Sequence, residues 1–96
     1  MSVKVKVFGE VIEGKKAEEI AEAYKRLYEV VNNSIEWKEV KKALLDFKKS
    51  LKGVKGSFKL RNELQFLASF GHLNTVKVIL ELRARLPKPE KVIKCD

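Results

Sequence analysis

The sequence is short of the residues on which most active sites depend. It has one histidine, His72, and one cysteine, Cys95. A lone cysteine excludes an internal disulfide and points to a reducing compartment. Cys-x-x-Cys, His-Glu-x-x-His, Gly-x-Ser-x-Gly and Walker-type loops are all missing, and with them the usual motifs for redox, zinc, acyl-transfer and nucleotide chemistry. No apolar run approaches the roughly 18 residues of a bilayer span. Met1-Ser2 leads directly into a Val/Lys alternation, so no secretory leader is expected and a cytoplasmic location is. Proline occurs only at Pro87 and Pro89, and glycine five times in 96 residues. Long helices can therefore run without interruption over most of the chain.

What the chain has in excess is charge. Charged residues make up 35% and apolar residues 45%. The apolar share is enough to build a core, so a disordered chain is not expected. The length suits one domain, residues 1–96. Abundant Lys and Glu beside a single Gln, Met and Cys resembles the composition of thermophilic proteins.

The net charge is +8, and it is concentrated. Residues 38–61 hold Lys38, Lys41, Lys42, Lys48, Lys49, Lys52, Lys55, Lys59 and Arg61 against Glu39 and Asp46. That segment alone accounts for +7, while residues 1–37 come to −1 and residues 62–96 to +2.

Hydrophobic periodicity divides the chain into elements. Val3, Val5 and Val7 alternate with Lys4 and Lys6, the pattern of a strand with one buried face over residues 3–8. Gly9-Glu10 turns the chain and Val11-Ile12 returns as a hairpin, or one longer strand bends at Gly9. Ala17, Ile20, Ala21, Tyr24, Leu27, Tyr28 and Val31 share one face of a helix from Ala17 to Val31. Asn33 is then expected to cap a second helix, with Glu36 as its reciprocal partner.

In that second helix, from Ile35 to Leu51, Trp37, Val40, Leu44, Phe47 and Leu51 form a narrow seam. Residues 52–57 form a glycine-containing loop. A third helix covers Phe58 to Phe70, and Gly71 is expected as its left-handed C-terminal cap. A fourth covers Leu73 to Leu86. Its Val76, Val78, Ile79, Leu80 and Leu82 are dense enough to predict the most buried helix of the four. Residues 92–95 read as a short strand beside residues 3–8, or as a loose tail. The fold class expected is mostly α: a four-helix domain with a short N-terminal strand or hairpin, and an α+β domain if the C-terminal strand pairs with it.

At about 100° per residue, Lys38, Lys41, Lys42, Lys48, Lys49 and Lys52 fall within a sector of roughly 120° on the second helix. Glu39 and Asp46 lie outside it. Two readings stand side by side. One is a footprint for a polyanion; the other is a solvated face of the kind thermostable proteins carry. Trp37 borders the sector and is read as core rather than as an exposed stacking platform.

Three local resemblances follow. Gly53-Val54-Lys55-Gly56 between two helices resembles the G-x-x-G loop with which KH domains clamp nucleic-acid backbone. The three-stranded sheet of that family, arranged around the helix pair, is not evident here. Residues 62–86 resemble one ankyrin repeat: Asn62 to Ala68 stand where the family has T-P-L-H-x-A, and Gly71-His72-Leu73 and Val76 to Glu81 match its G-H-L and V-x-x-L-L segments. Leu82 and Arg83 depart from its usual small residues, and residues 29–61 do not repeat the pattern. The resemblance implies an antiparallel helix pair turning at Gly71. The same pair also resembles a helix-turn-helix reader of DNA, but residues 73–82 of its second helix offer one basic residue, Lys77, and mostly apolar ones.

His72 without a second histidine reads as a turn residue, and Glu18, Glu19 and Glu22 as a solvated helix face. No metal, cofactor, small-molecule substrate or membrane is expected. The first expectation is a non-enzymatic protein that binds nucleic acid through Lys38, Lys41, Lys42, Lys48, Lys49, Lys52, Lys55, Lys59 and Arg61. The second is a protein-interaction module or homo-oligomer, using residues 62–86 or the N-terminal strand.

Overall fold

The structure, a computed structural model, describes residues 3–7, 10–13, 17–89 and 93–95, with side chains from residue 18 to residue 89. The chain is mostly helical. The expected turn at Gly9 and the burial of Val3, Val5 and Val7 lie outside the described residues and side chains. So does Val92.

Three backbone segments pair: β1 (Val3–Val7), β2 (Glu10–Glu13) and β3 (Ile93–Cys95). Their order is β2-β1-β3, and both pairings are antiparallel, with Val5 opposite Ile12 on one side and Ile93 on the other. β1 is therefore the central strand. A second copy adding to this sheet would meet β2 or β3, not the N-terminal strand that the sequence nominated.

α1 (Ala17–Asn33) extends two residues beyond the expected end at Val31. Asn32 and Asn33 belong to its last turn, and their side-chain amides donate to the carbonyls of Tyr28 and Glu29, four residues back. Asn33 is thus not the cap of the next helix. α2 (Trp37–Ser50) begins after Glu36, and no side chain caps it. The Glu36 amide instead donates to Ser34 Oγ, 3.1 Å away, which turns the chain between the helices.

α3 (Phe58–Phe70) has the predicted bounds. A 3₁₀ turn, Gly71–Asn74, leads into α4 (Thr75–Arg85). Reversal takes place at Asn74, whose φ of −152° and ψ of 64° lie outside the helical range. Arg85 returns to within 2.9 Å of Glu63, so the two helices run antiparallel. Gly71 itself is right-handed, at φ −62°, and is not the left-handed cap expected. Its lack of a side chain matters for another reason: a Cβ there would overlap the ring of Trp37. Trp37 is half-buried and packs on the core across that gap.

The core is made by Ile20, Tyr24, Leu27 and Val31 of α1, Val40, Leu44 and Phe47 of α2, Leu51, and Leu60, Leu64 and Ala68 of α3. α4 adds Ile79 and Leu82, followed by Leu86. The expectation that α4 is the most buried helix is corrected. Its Val76 and Leu80 are exposed, as is Leu73 before it. α4 lies along α1, and among the described residues no layer covers its outer side. Arg83 ties it there: Nε donates to the Val31 carbonyl at 2.7 Å. α1 has no basic residue in its last turn, so Arg83 supplies the positive charge favoured at that helix end.

Tyr24 is completely buried, edge-on to Phe47 with ring centroids 5.6 Å apart. Its hydroxyl donates to the Pro87 carbonyl at 2.6 Å and fastens the segment after α4 to α1. Burial, and then the neighbouring Tyr28, push its pKa well above the ordinary value of 10. The folded state thus holds a proton that the unfolded chain releases near pH 10. Stability is therefore fully present below pH 10 and declines as pH rises beyond it. Tyr24→Phe removes this hydrogen bond and is expected to cost about 1 kcal/mol at neutral pH. In urea titrations from pH 8 to pH 11.5 the variant should lose less stability than the wild type above pH 10. Parallel pH curves would disprove the assignment.

Candidate nucleic-acid interface

The structure divides the predicted basic stripe. Lys38, Lys41, Lys42, Lys49, Lys52, Lys55 and Lys59 are exposed, while Lys48 and Arg61 are half-buried. Lys48, Lys49 and Lys52 come together with Arg61 around Leu45, lining one groove of about 360 Å³ between α2 and the start of α3. Among the described residues no carboxylate lines it. The Nζ of Lys48 donates to the neutral amide oxygen of Gln65, at 2.5 Å.

Arg61 is held from behind. Its Nε donates to Ser57 Oγ at 3.1 Å. Ser57 has no exposed surface, and its hydroxyl lies 2.6 Å from the Val54 carbonyl and 3.2 Å from that of Leu51. The buried serine therefore closes the loop after α2 and also sets the direction of the guanidinium. The same loop needs its glycines, since Gly53 and Gly56 take φ values of 79° and 83°.

Other members of the stripe lie elsewhere. Lys42 lines a separate hollow with Arg26, Val30, Glu39, Ala43 and Asp46, where acids and bases are mixed. Lys59 projects from α3 about 60° or less from Phe66 and Phe70 in helical projection, away from Arg61. Lys38 and Lys41 occupy the first turns of α2 on the groove side of the helix. Lys55 is exposed on the loop. The groove, with Lys38 and Lys41 leading into it, is thus a narrower surface than the nine-residue set.

Sequence reasoning missed two participants. Gln65 reaches across from α3 to Lys48, and Ser57 orients Arg61. The latter had a signal in the i, i+4 spacing of Ser57 and Arg61 at a helix start.

Trp37, packed against Gly71, is no stacking platform for bases. Among the described residues the exposed aromatics are Phe58, Phe66 and Phe70, all on α3. Among the described residues no three His, Cys, Asp or Glu side chains gather as metal ligands do, and no helix is long and apolar enough to cross a membrane. The chain matches no family model, no curated protein and no solved structure.

Proposed function

We propose that this chain is a non-enzymatic nucleic-acid-binding protein. Its contacts are to phosphates, made by α2, the loop after it and the first turn of α3. We take the domain as α+β: four helices with an N-terminal hairpin closed by the C-terminal strand. The observation that carries the functional reading is the gathering of Lys48, Lys49 and Arg61, with Lys52 beside them, in one groove.

Like charges so placed repel one another, and a polyanion relieves that repulsion while releasing its own counterions. The bland explanation accounts for part of the pattern. Lys48 and Lys49 lie in the last turn of α2, where cations offset the helix dipole. It does not account for Arg61 on a different helix. Binding is expected to show little sequence preference and a steep salt dependence. Fluorescence anisotropy with single-stranded DNA, duplex DNA and RNA over a salt series tests this. Absence of binding by the folded protein at low salt would refute it.

A second reading has its own observation. Phe66, Phe70, Leu73, Val76 and Leu80 are all more than half exposed on residues 62–86, and the Phe66 and Phe70 rings lie together with centroids 5.0 Å apart. Exposed apolar side chains in such number mark interaction surfaces in folded proteins. On this reading the chain self-associates through α3 and α4. Sedimentation equilibrium should then show a dimer that Phe70→Ser/Leu80→Ser weakens at least tenfold. A wild-type monomer at 100 µM or so would eliminate it.

A further inference from the structure

We infer that the open face of α4 receives the α4 of a second copy of this chain, antiparallel and about a two-fold axis beside Val78 and Ile79, with Lys77 of each copy paired to Glu81 of the other. The inference rests on the second reading above, self-association through α3 and α4, and gives that contact an orientation and a register. It does not depend on the polyanion reading.

Helix geometry lays out the surface. At about 100° per residue, Val76, Leu80 and Ala84 fall within a sector of roughly 80° on α4, and all three are exposed. The buried Ile79 and Leu82 lie about 60° or more outside that sector. Lys77 and Glu81, also exposed, follow one edge of it as a charged row. Arg85 comes next around the helix and bonds Glu63 of α3 at 2.9 Å, so the row lies on the α3 side of the apolar strip. On α3, Phe66 and Phe70 project within about 60° of Glu63, on the flank turned toward α4. Their rings lie together, with centroids 5.0 Å apart. Lys77 and Glu81 therefore run between two exposed apolar surfaces, Val76 with Leu80 and Phe66 with Phe70.

That row decides the occupant. A partner that covers both apolar surfaces also covers the charges between them, and a covered charge is costly without an opposite one. A lipid surface offers Glu81 apolar or anionic groups. A second copy offers the complement. Lys77 and Glu81 stand one turn apart with opposite signs, so reversing one helix sets Lys77 against Glu81 twice. The same reversal sets Val76 against Leu80 twice. Leu73, exposed just ahead of α4, then falls at the end that Ala84 of the second copy reaches. A parallel pairing would instead oppose lysine to lysine and glutamate to glutamate. Flanking charges of this kind set orientation and partner choice where helices pair, and a two-fold contact must be self-complementary in this sense.

The helix pair is short. α4 has 11 residues and is about 16 Å long. A standard interface covers about 800 Å² on each partner, so the contact extends beyond α4 onto Leu73, Phe66 and Phe70.

The test is sedimentation equilibrium of the full-length protein with Lys77→Glu and Glu81→Lys, each alone and as an equimolar mixture. Each variant alone places like charges in both pairs and should dimerise about tenfold more weakly than the wild type. In the mixture a dimer of one copy of each has both pairs restored. It should associate within about threefold of the wild type, a recovery that damage to the fold could not produce. The double variant Lys77→Glu/Glu81→Lys should recover in the same way. Charge variants that dimerise like the wild type, or a mixture that recovers nothing, would overturn the inference. If Phe70→Ser/Leu80→Ser still weakens the dimer in that case, self-association through α3 and α4 stands in another arrangement. A wild type that stays monomeric at about 100 µM overturns both.

Discussion

Lys41/Lys48/Lys52→Glu is expected to lower affinity for single-stranded nucleic acid by on the order of a hundredfold at 50 mM salt, and to flatten the salt dependence. Each replacement changes the charge by two, so the net charge falls from +8 to +2. If each lysine neutralises one phosphate, the slope of log K against log salt drops by roughly 2 to 3. The fold should survive, since Lys41 and Lys52 are exposed and Lys48 is half-buried. Surface changes of this kind usually cost within about 0.5 kcal/mol each.

A matched control separates place from total charge. Lys25, Lys77 and Lys88 are also exposed and lie outside residues 38–61. Their reversal to glutamate gives the same net charge. If both triple variants lose affinity equally, net charge governs binding and the groove has no special part. If only the first does, the α2 surface is the interface.

The second large effect concerns stability. Gly71→Ala sets two terms against each other. Alanine in a helical conformation is ordinarily favoured over glycine by up to about 1 kcal/mol, and Gly71 has helical angles. Here, however, the added methyl would overlap the ring of Trp37. Overpacking of this kind typically costs about 1–3 kcal/mol. A tryptophan ring packed on the core cannot move aside as the tip of a lysine would, so the steric term wins.

We expect a net loss of about 1–2 kcal/mol in urea unfolding, with a shift in the emission of this single tryptophan. The cause can be isolated. In a Trp37→Leu background the overlap is gone, and Gly71→Ala should become neutral or stabilising. Such coupling is what residues in contact show. An unchanged emission spectrum together with undiminished stability in the single variant would mean that the contact does not exist.

Much of the helical layer was legible in one dimension. The seam of Val40, Leu44, Phe47 and Leu51 follows from apolar spacing alone, and all four are buried. So are Ile20, Tyr24, Leu27 and Val31 on α1. The two glycines of the loop after α2 were readable because the conformation they take is one that other residues avoid. The charge of residues 38–61 is a matter of counting.

Periodicity reports which face is apolar, not whether anything covers it. That is why α4 read as deeply buried although Val76 and Leu80 face outward. A glycine after a helix reads as a cap by default, whereas Gly71 is required by a tryptophan 34 positions earlier in the chain. Asn33 likewise reads as a cap, yet its amide closes the helix behind it.

The sequence by itself determined the composition of the core faces of α1 and α2, the glycine loop and the placing of nearly all the excess charge on one segment. Each of these depends on residues close together along the chain, where spacing stands in for distance. Only the tertiary structure decided which of those cations share a groove. Lys48, Lys49 and Lys52 meet Arg61 because α3 folds back beside α2, and Arg61 faces them because a buried serine holds its other edge. A helix projection places charges around one axis, but the meeting of two helices is set by the packing of Leu44, Phe47, Leu60 and Leu64 between them.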